Sequence, residues 1–216
     1  MTLVQLTRTG AVRCGSVADF AAARAQFERR HALTLTQLIH PDLLALLRRR
    51  LAEEGFSHKL NKGIGTELRL PSGALSGGIE FLANDPVLFD AIQDLTGCAE
   101  IGCYRGRVYR MLPGAGHASD WHSDMSGGRM ITMSVNVSDE VFDGGDLQIR
   151  YSDTKEIVAH LRNTGFGDAV IFRIDARLEH QVLPLEGAVA RSAYAGWFLA
   201  EPDYEAMLVQ QLGAPA

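Results

Sequence analysis

Residues 129–151 read RMITMSVNVSDEVFDGGDLQIRY, two runs in which apolar and polar residues alternate, parted by the turn signal Gly144-Gly145-Asp146. Period-two alternation sends successive side chains to opposite faces, as a half-buried strand requires. The same pattern extends outward in both directions. RVYRML at 107–112 precedes it; DAVIFRI at 168–174, HQVLPL at 180–185 and RSAYAGWFL at 191–199 follow. Several short strands separated by Gly and Asp turns, with no helices between them, predict a sandwich or jelly roll and disfavour a doubly wound α/β fold.

The first hundred residues carry a different signature. In PDLLALLRRRLAEEGF (41–56), Leu43, Leu44, Leu46, Leu47 and Leu51 recur at helical spacing, Pro41 suits the first turn and Gly55 ends the run. DPVLFDAIQDLTG (85–97) repeats the scheme, with Asp85 as cap, Val87, Leu88, Ile92 and Leu95 inward, and Gly97 as stop. Between them, HKLNKGIGTELRLPSGALSGG (58–78) is rich in Gly and polar residues, with room only for short strands around 66–70. Residues 56–78 therefore read as a mobile or ligand-covering segment. The expectation is an α+β chain with a mainly β core. It forms a single domain over 1–216, with a helical N-terminal support region at 1–100 packed on a β core at 101–200.

Composition narrows the function. Hydrophobic residues at 46% and charged residues at 22% are ordinary for a folded globular protein. A formal net charge of -5 offers no attraction to phosphate backbones or anionic bilayers, so neither nucleic acid nor a membrane is an expected partner. No apolar run reaches the roughly 20 residues of a membrane helix, and the N-terminal stretch lacks the features of an export signal. Cys14, Cys98 and Cys103 are odd in number and contain no C-x-x-C pair. That argues against a disulfide framework or a four-cysteine zinc site and suits a reducing cytoplasm.

A metal that must keep positions open for reactants is typically held by two His and one carboxylate, so H-x-D with a distant His is the pattern to seek. With 7 His and 26 acidic residues, about one H-x-D/E pair is expected by chance, and the motif alone decides nothing. His40-Pro41-Asp42 opens the leucine-rich helix, where Pro and Asp serve the first turn, and reads as a cap. Trp121-His122-Ser123-Asp124-Met125 lies between two predicted strands, and an extended H-x-D directs both side chains to one face, a geometry suited to chelating one metal. Alone, His122 reads also as a loop histidine hydrogen-bonded to Asp124.

His180 opens a later strand and Arg191 the next, and an antiparallel pair turning at Gly187 lets both face one cavity. An arginine inside such a cavity needs a partner. A dicarboxylate ligand supplies one, because guanidinium matches carboxylate with two parallel hydrogen bonds. An outward-facing Arg191 on a strand edge is the alternative.

Taken in order, RVYRMLPG, WHSD, GRMITMSVNVS, FDGGDLQI, GDAVIFR, EHQVLPLEG and ARSAYAGWF resemble the 2-oxoglutarate/iron(II) dioxygenases of the prolyl 4-hydroxylase-like branch, over about residues 105–198. The resemblance implies a double-stranded β-helix and a hydroxylase using Fe(II), 2-oxoglutarate and O2. Carried over residue by residue, it implies His122, Asp124 and His180 as the iron ligands of the catalytic centre and Arg191 as partner of the distal 2-oxoglutarate carboxylate. The co-substrate tyrosine often found before the P-G is replaced here by Met111-Leu112; Tyr109, sharing Met111's alternation, is the nearest substitute. Asn136, in phase with Thr132 and Ser134, stands where a second tyrosine often sits. The implied reaction hydroxylates a peptidyl or free amino acid, or a small molecule, and decarboxylates 2-oxoglutarate to succinate. The carboxylate at Asp124 argues against a halogenase.

Other residues near the motif carry weaker signals. His117 precedes the metal motif among flexible glycines, Met111, Met125, Met130 and Met133 read as core fillers, and Trp121 and Trp197 as packing elements that can also line the cavity. Substrate choice belongs to loops, here residues 56–78, the segment before His122, and residues 152–163. Two rival readings are a jelly-roll module that binds a metal or carboxylate without turnover, and a cupin-type metal dioxygenase that does not use 2-oxoglutarate. In the second, Arg191 has no acid to bind.

Overall fold

The computed structural model describes residues 2–61 and 65–213. Its N-terminal elements are β1 (Val4–Thr7), β2 (Gly10–Arg13), α1 (Val17–Arg30), β3 (Ala32–Leu35), α2 (Pro41–Ala52), β4 (Ser57–Asn61), β5 (Gly65–Arg69), α3 (Ala74–Ala83) and α4 (Pro86–Thr96). There follow β6 (Cys103–Met111), β7 (Ser119–His122), β8 (Arg129–Asn136), β9 (Asp143–Gly144), β10 (Leu147–Tyr151) and β11 (Ile157–Leu161). The chain ends with β12 (Ala169–Arg173), β13 (Leu178–Val182), β14 (Leu185–Glu186), β15 (Arg191–Leu199) and α5 (Tyr204–Gly213). A larger sheet runs in the order β3-β12-β8-β15-β6-β5-β4 and a smaller one in the order β11-β10-β13-β7, with β1-β2 and β9-β14 as short ribbons. Neighbouring strands pair antiparallel.

Alternation decides which layer each side chain enters. On β15, Tyr194 and Phe198 join the core shared with the helices, whereas Ala193 and Ala195 turn to the other face. On β12, Ile171 points to the helices, while Val170 and Phe172 meet Leu147, Ile149 and Leu178 of the smaller sheet. The two sheets thus face each other across an apolar layer. This is a double-stranded β-helix, with N-terminal helices packed on the outer face of the larger sheet.

The helices begin and end where their caps dictate. The His40 side chain accepts the Asp42 N–H and Pro41 follows it, so the first H-x-D is a helix cap. Leu43, Leu44, Leu47 and Leu51 are the buried stripe of α2, with Leu46 half-buried at its margin. On α4, Asp85 caps and Gly97 stops the helix in the left-handed region. Val87, expected inward, is 38% exposed, because the buried arc runs through Leu88, Ala91, Ile92 and Leu95. Among the described residues no helix is long and apolar enough to cross a membrane.

Residues 1–100 hold more strand than their helical periodicity predicts. β3, four residues between two helices, pairs with β12, and the β4-β5 hairpin extends the opposite end of the larger sheet through β6. A four-residue strand is too short to declare a period, and its partner lies far downstream. The helix α3 was also not predicted, since Gly77 and Gly78 each cost about 1 kcal/mol against Ala in a helix. Burial of Ile79 and Ala83 against the core offsets that cost. Residues 62–64 of the covering segment lie outside the described residues.

Candidate active site

β7 and β13 are neighbours, and their register sets His122 opposite His180. The two rings lie 4.2 Å apart. Asp124, in the loop after β7, closes the group: its Oδ1 is 3.8 Å from Nε2 of His122 and its Oδ2 is 3.6 Å from Nε2 of His180. One donor atom from each residue falls within 4.8 Å of the others.

Each of the three is oriented by a neighbour. A backbone carbonyl only accepts, so the 2.6 Å contact between His122 Nδ1 and the Asp120 carbonyl puts the proton on Nδ1 and leaves Nε2 with its lone pair. Burial, then the adjacent His122, lowers the pKa of His180 to about 4 against the opposing pull of Asp124. His180 is therefore neutral at pH 7, as a metal ligand must be. Asp124 Oδ2 accepts from Trp197 Nε1 at 2.8 Å, and Oδ1 lies 3.4 Å from Arg129 Nη1. The Arg129 guanidinium in turn stacks 3.7 Å over the Trp197 ring. Two imidazoles and one carboxylate, with further positions open, suit non-haem Fe(II).

The cluster opens on a cavity of about 470 Å³. Arg191 lies on its wall, 3% exposed, donating to the Gly145 carbonyl at 3.0 Å and to Ser134 Oγ at 3.3 Å. Among the described residues no carboxylate pairs with it, and its Nε, like Thr132 Oγ1 and Asn163 Oδ1, is buried without a partner. Gly145 has a φ of 65°, and a Cβ there would meet Leu185 Cδ2 at 2.8 Å; glycine is what lets this carbonyl reach the guanidinium. A buried cation with only neutral acceptors is costly, so the site favours an incoming carboxylate.

A second charged group lines the same cavity. Glu67 on β5 is 6% exposed and takes Arg69 Nη2 at 2.7 Å and Arg107 Nε at 2.9 Å on Oε1, with Arg107 Nη2 at 3.3 Å from Oε2. Burial pushes the Glu67 carboxyl upward, but the hydrogen bonds and charges of Arg107 and Arg69 outweigh it and hold its pKa below the ordinary value.

Of the residues singled out in the sequence, His122, Asp124, His180, Arg191, Tyr109, Thr132 and Ser134 all line the cavity. Asn136 does not. Its amide is consumed locally, Nδ2 donating to the Gly165 carbonyl at 3.1 Å and Oδ1 accepting the Ser138 N–H at 2.9 Å, because β8 ends there and the chain turns. His117 also serves the backbone, its Nδ1 accepting the Leu112 N–H at 2.9 Å, and Trp121 lies under Arg150, 3.9 Å away. The covering segment supplies Gly65, Thr66, Glu67 and Arg69, the stretch before His122 supplies Ala118 and Ser119, and residues 152–163 supply Asn163. Sequence reasoning missed Arg107, Arg129 and the hydrogen bond from Trp197. Phase held the signal: Arg107 alternates with Tyr109, and Trp197 with Arg191.

Residues 106–199 match the 2OG-Fe(II) oxygenase superfamily. The matched segment, less than half of the chain, holds the His–Asp–His group and Arg191; the chain is an enzyme of the 2-oxoglutarate-dependent oxygenase kind, which works with Fe(II), 2-oxoglutarate and O2, and this sets aside the non-catalytic module and the metal-only dioxygenase. It is similar in fold to a 2OG-Fe(II) oxygenase family oxidoreductase from Burkholderia pseudomallei, with a TM-score of 0.65 and 16% identity over 88% of this chain and 95% of that one. A prolyl-4-hydroxylase from Pseudomonas putida gives 0.61 and 20% over 85% and 100%. A prolyl hydroxylase from Trichoplax adhaerens, in complex with a peptide fragment of hypoxia inducible factor, gives 0.59 and 14% over 93% and 98%. Identities this low speak for the fold alone. No curated protein sequence matches the chain.

Proposed function

We propose that this oxygenase is a hydroxylase in which His122, Asp124 and His180 hold Fe(II) and Arg191, with Tyr109 beside it, holds 2-oxoglutarate. Its substrate is a peptidyl or free amino acid, or a comparable small molecule. The observation that carries this reading is the buried guanidinium of Arg191, without a carboxylate partner among the described residues, in the cavity that also holds the His–Asp–His group. The two prolyl hydroxylases of like fold support an amino-acid or peptide substrate. We also take residues 1–216 as one domain, with 1–100 supporting the β core at 101–200. A cytoplasmic setting accords with Cys14, Cys98 and Cys103, all free thiols.

Bound there, Fe(II) and 2-oxoglutarate would supply the oxidising power for O2 chemistry, with 2-oxoglutarate leaving as succinate and CO2. The protein's task is placement and shielding. Arg191 takes the distal carboxylate with its fork held by Gly145 and Ser134. Trp197 and Arg129 fix the Asp124 carboxylate, and the Asp120 carbonyl fixes the tautomer of His122. Leu147, Val170, Phe172 and Val182 give the cavity an apolar wall that excludes water.

The test needs no substrate. Fe(II)-loaded protein titrated anaerobically with 2-oxoglutarate is expected to develop a visible metal-to-ligand charge-transfer band. Absence of the band, with iron shown to be bound, would sink the proposal.

A further inference from the structure

The charges lining the cavity do not balance, and the imbalance lies away from Arg191. Among the described residues four arginines line it, Arg69, Arg107, Arg129 and Arg191, against two carboxylates, Glu67 and Asp124. On the reading given above, a doubly charged metal with Asp124, and a doubly charged co-substrate with Arg191, together sum to zero. What remains, Arg69 left aside, is Arg129 and the Arg107–Glu67 pair, a surplus of one positive charge. A surplus of that size in a part-buried cavity attracts an anion.

Geometry says where the anion sits. Arg107 faces Ala195 across β6 and β15, so a small side chain leaves the space in front of it open. Its Nε and Nη2 are spent on Glu67, and Nη1 has no hydrogen bond to any described residue. The guanidinium lies 5.4 Å from the ring centre of Trp197, whose Nε1 reaches Asp124 at 2.8 Å. One indole ring thus separates Arg107 from a proposed metal ligand, a span that a few carbon atoms bridge.

We propose that the substrate is a small carboxylic acid of about amino-acid size, whose carboxylate pairs with Arg107 while a C–H bond a few atoms away is presented to the metal. Glu67 is a positioning residue that holds the Arg107 fork. This inference rests on the hydroxylase reading and narrows its substrate from peptides and neutral molecules to small acids.

The experiment uses protein loaded with Fe(II) and 2-oxoglutarate under anaerobic conditions. The probes are the common L-amino acids and short aliphatic mono- and dicarboxylic acids, each compared with its primary amide, and one blocked prolyl peptide amide. Binding is read by calorimetry. At least one acid is expected to bind, at least tenfold more tightly than its amide. Arg107→Gln is expected to remove that preference while leaving the charge-transfer band and the 2-oxoglutarate affinity within twofold. Should Arg107→Gln fail to fold, Arg107→Lys keeps the charge without the two-pronged hold by Glu67 that aims it, and is expected to weaken the acid severalfold. The proposal is overturned if acid and amide bind alike, if no acid binds, or if the folded variant keeps the acid's affinity. Loss of the band in the wild-type protein would instead refute the hydroxylase reading on which the proposal stands.

Discussion

Replacing Arg191 with Ala separates metal binding from co-substrate binding. The side chain donates to the Gly145 carbonyl and Ser134 Oγ and approaches none of the three metal-ligand candidates. Leaving the Gly145 carbonyl without a partner costs about 1–2 kcal/mol, partly offset by removing a buried cation that has no carboxylate among the described residues. Metal-free stability should therefore change little. For 2-oxoglutarate the loss is larger, since a carboxylate entering the cavity would be buried unpaired, at about 3 kcal/mol or more. That is roughly a hundredfold in Kd. At a concentration a hundred times the wild-type Kd, 2-oxoglutarate should stabilise the wild-type protein by about 2.7 kcal/mol in thermal denaturation. The variant, bound a hundredfold more weakly, should gain only about 0.4 kcal/mol. Fe(II) affinity, read anaerobically by calorimetry, should stay within threefold. Equal loss of iron and 2-oxoglutarate, or retained 2-oxoglutarate affinity, would refute the assignment of roles.

Three further outcomes follow from named contacts. Trp197→Phe keeps a ring under Arg129 but deletes the donor to Asp124 Oδ2, and should weaken Fe(II) binding by roughly 10- to 100-fold in the same calorimetric titration; a change under threefold would show that Asp124 is held by other means. Asn136→Ala breaks two hydrogen bonds of a buried side chain and should lower unfolding stability by about 2 kcal/mol in denaturant melts, with 2-oxoglutarate affinity unchanged, whereas a co-substrate ligand would lose affinity first. The folded-state pKa of Glu67 is depressed, so its contribution to stability is present above the ordinary carboxyl value of 4.5 and is lost as pH falls through the folded value. The stability gap between wild type and Glu67→Gln should therefore be widest near neutrality and close in melts below pH 4.5; a gap independent of pH would deny that the charge matters.

The β core was legible because its strands are long enough to show a period: β8 and β15 alternate over eight and nine residues, and their register follows from which face is apolar. The caps of α2 and α4 were legible for a local reason, since Pro41, Asp85 and Gly97 act on their own turns. β3, β4 and α3 were not, because a four- or five-residue strand, or a helix holding two glycines, owes its existence to partners elsewhere in the chain. The site divides in the same way. His122, Asp124 and Arg191 stood out only through the order of the motifs around them, whereas the Glu67 group depends on β5 meeting β6, a pairing that no local pattern encodes.

The two ends of the site are tied together by one strand. Arg191 and Trp197 lie on the same face of β15, six residues apart, which at strand rise separates them by roughly 20 Å along its axis. Between them that face carries only Ala193 and Ala195, so the strand is at once a floor and a spacer, with the proposed co-substrate anchor at one end and the hydrogen bond to the proposed metal ligand Asp124 at the other. A one-residue slip of β15 against β6 and β8 would carry Arg191 and Trp197 into the helix core and bring Tyr194 and Phe198 into the cavity. Burial of Tyr194 and Phe198 under the helices is therefore what makes the site geometry stable: the apolar residues of this strand hold the register that its polar residues use.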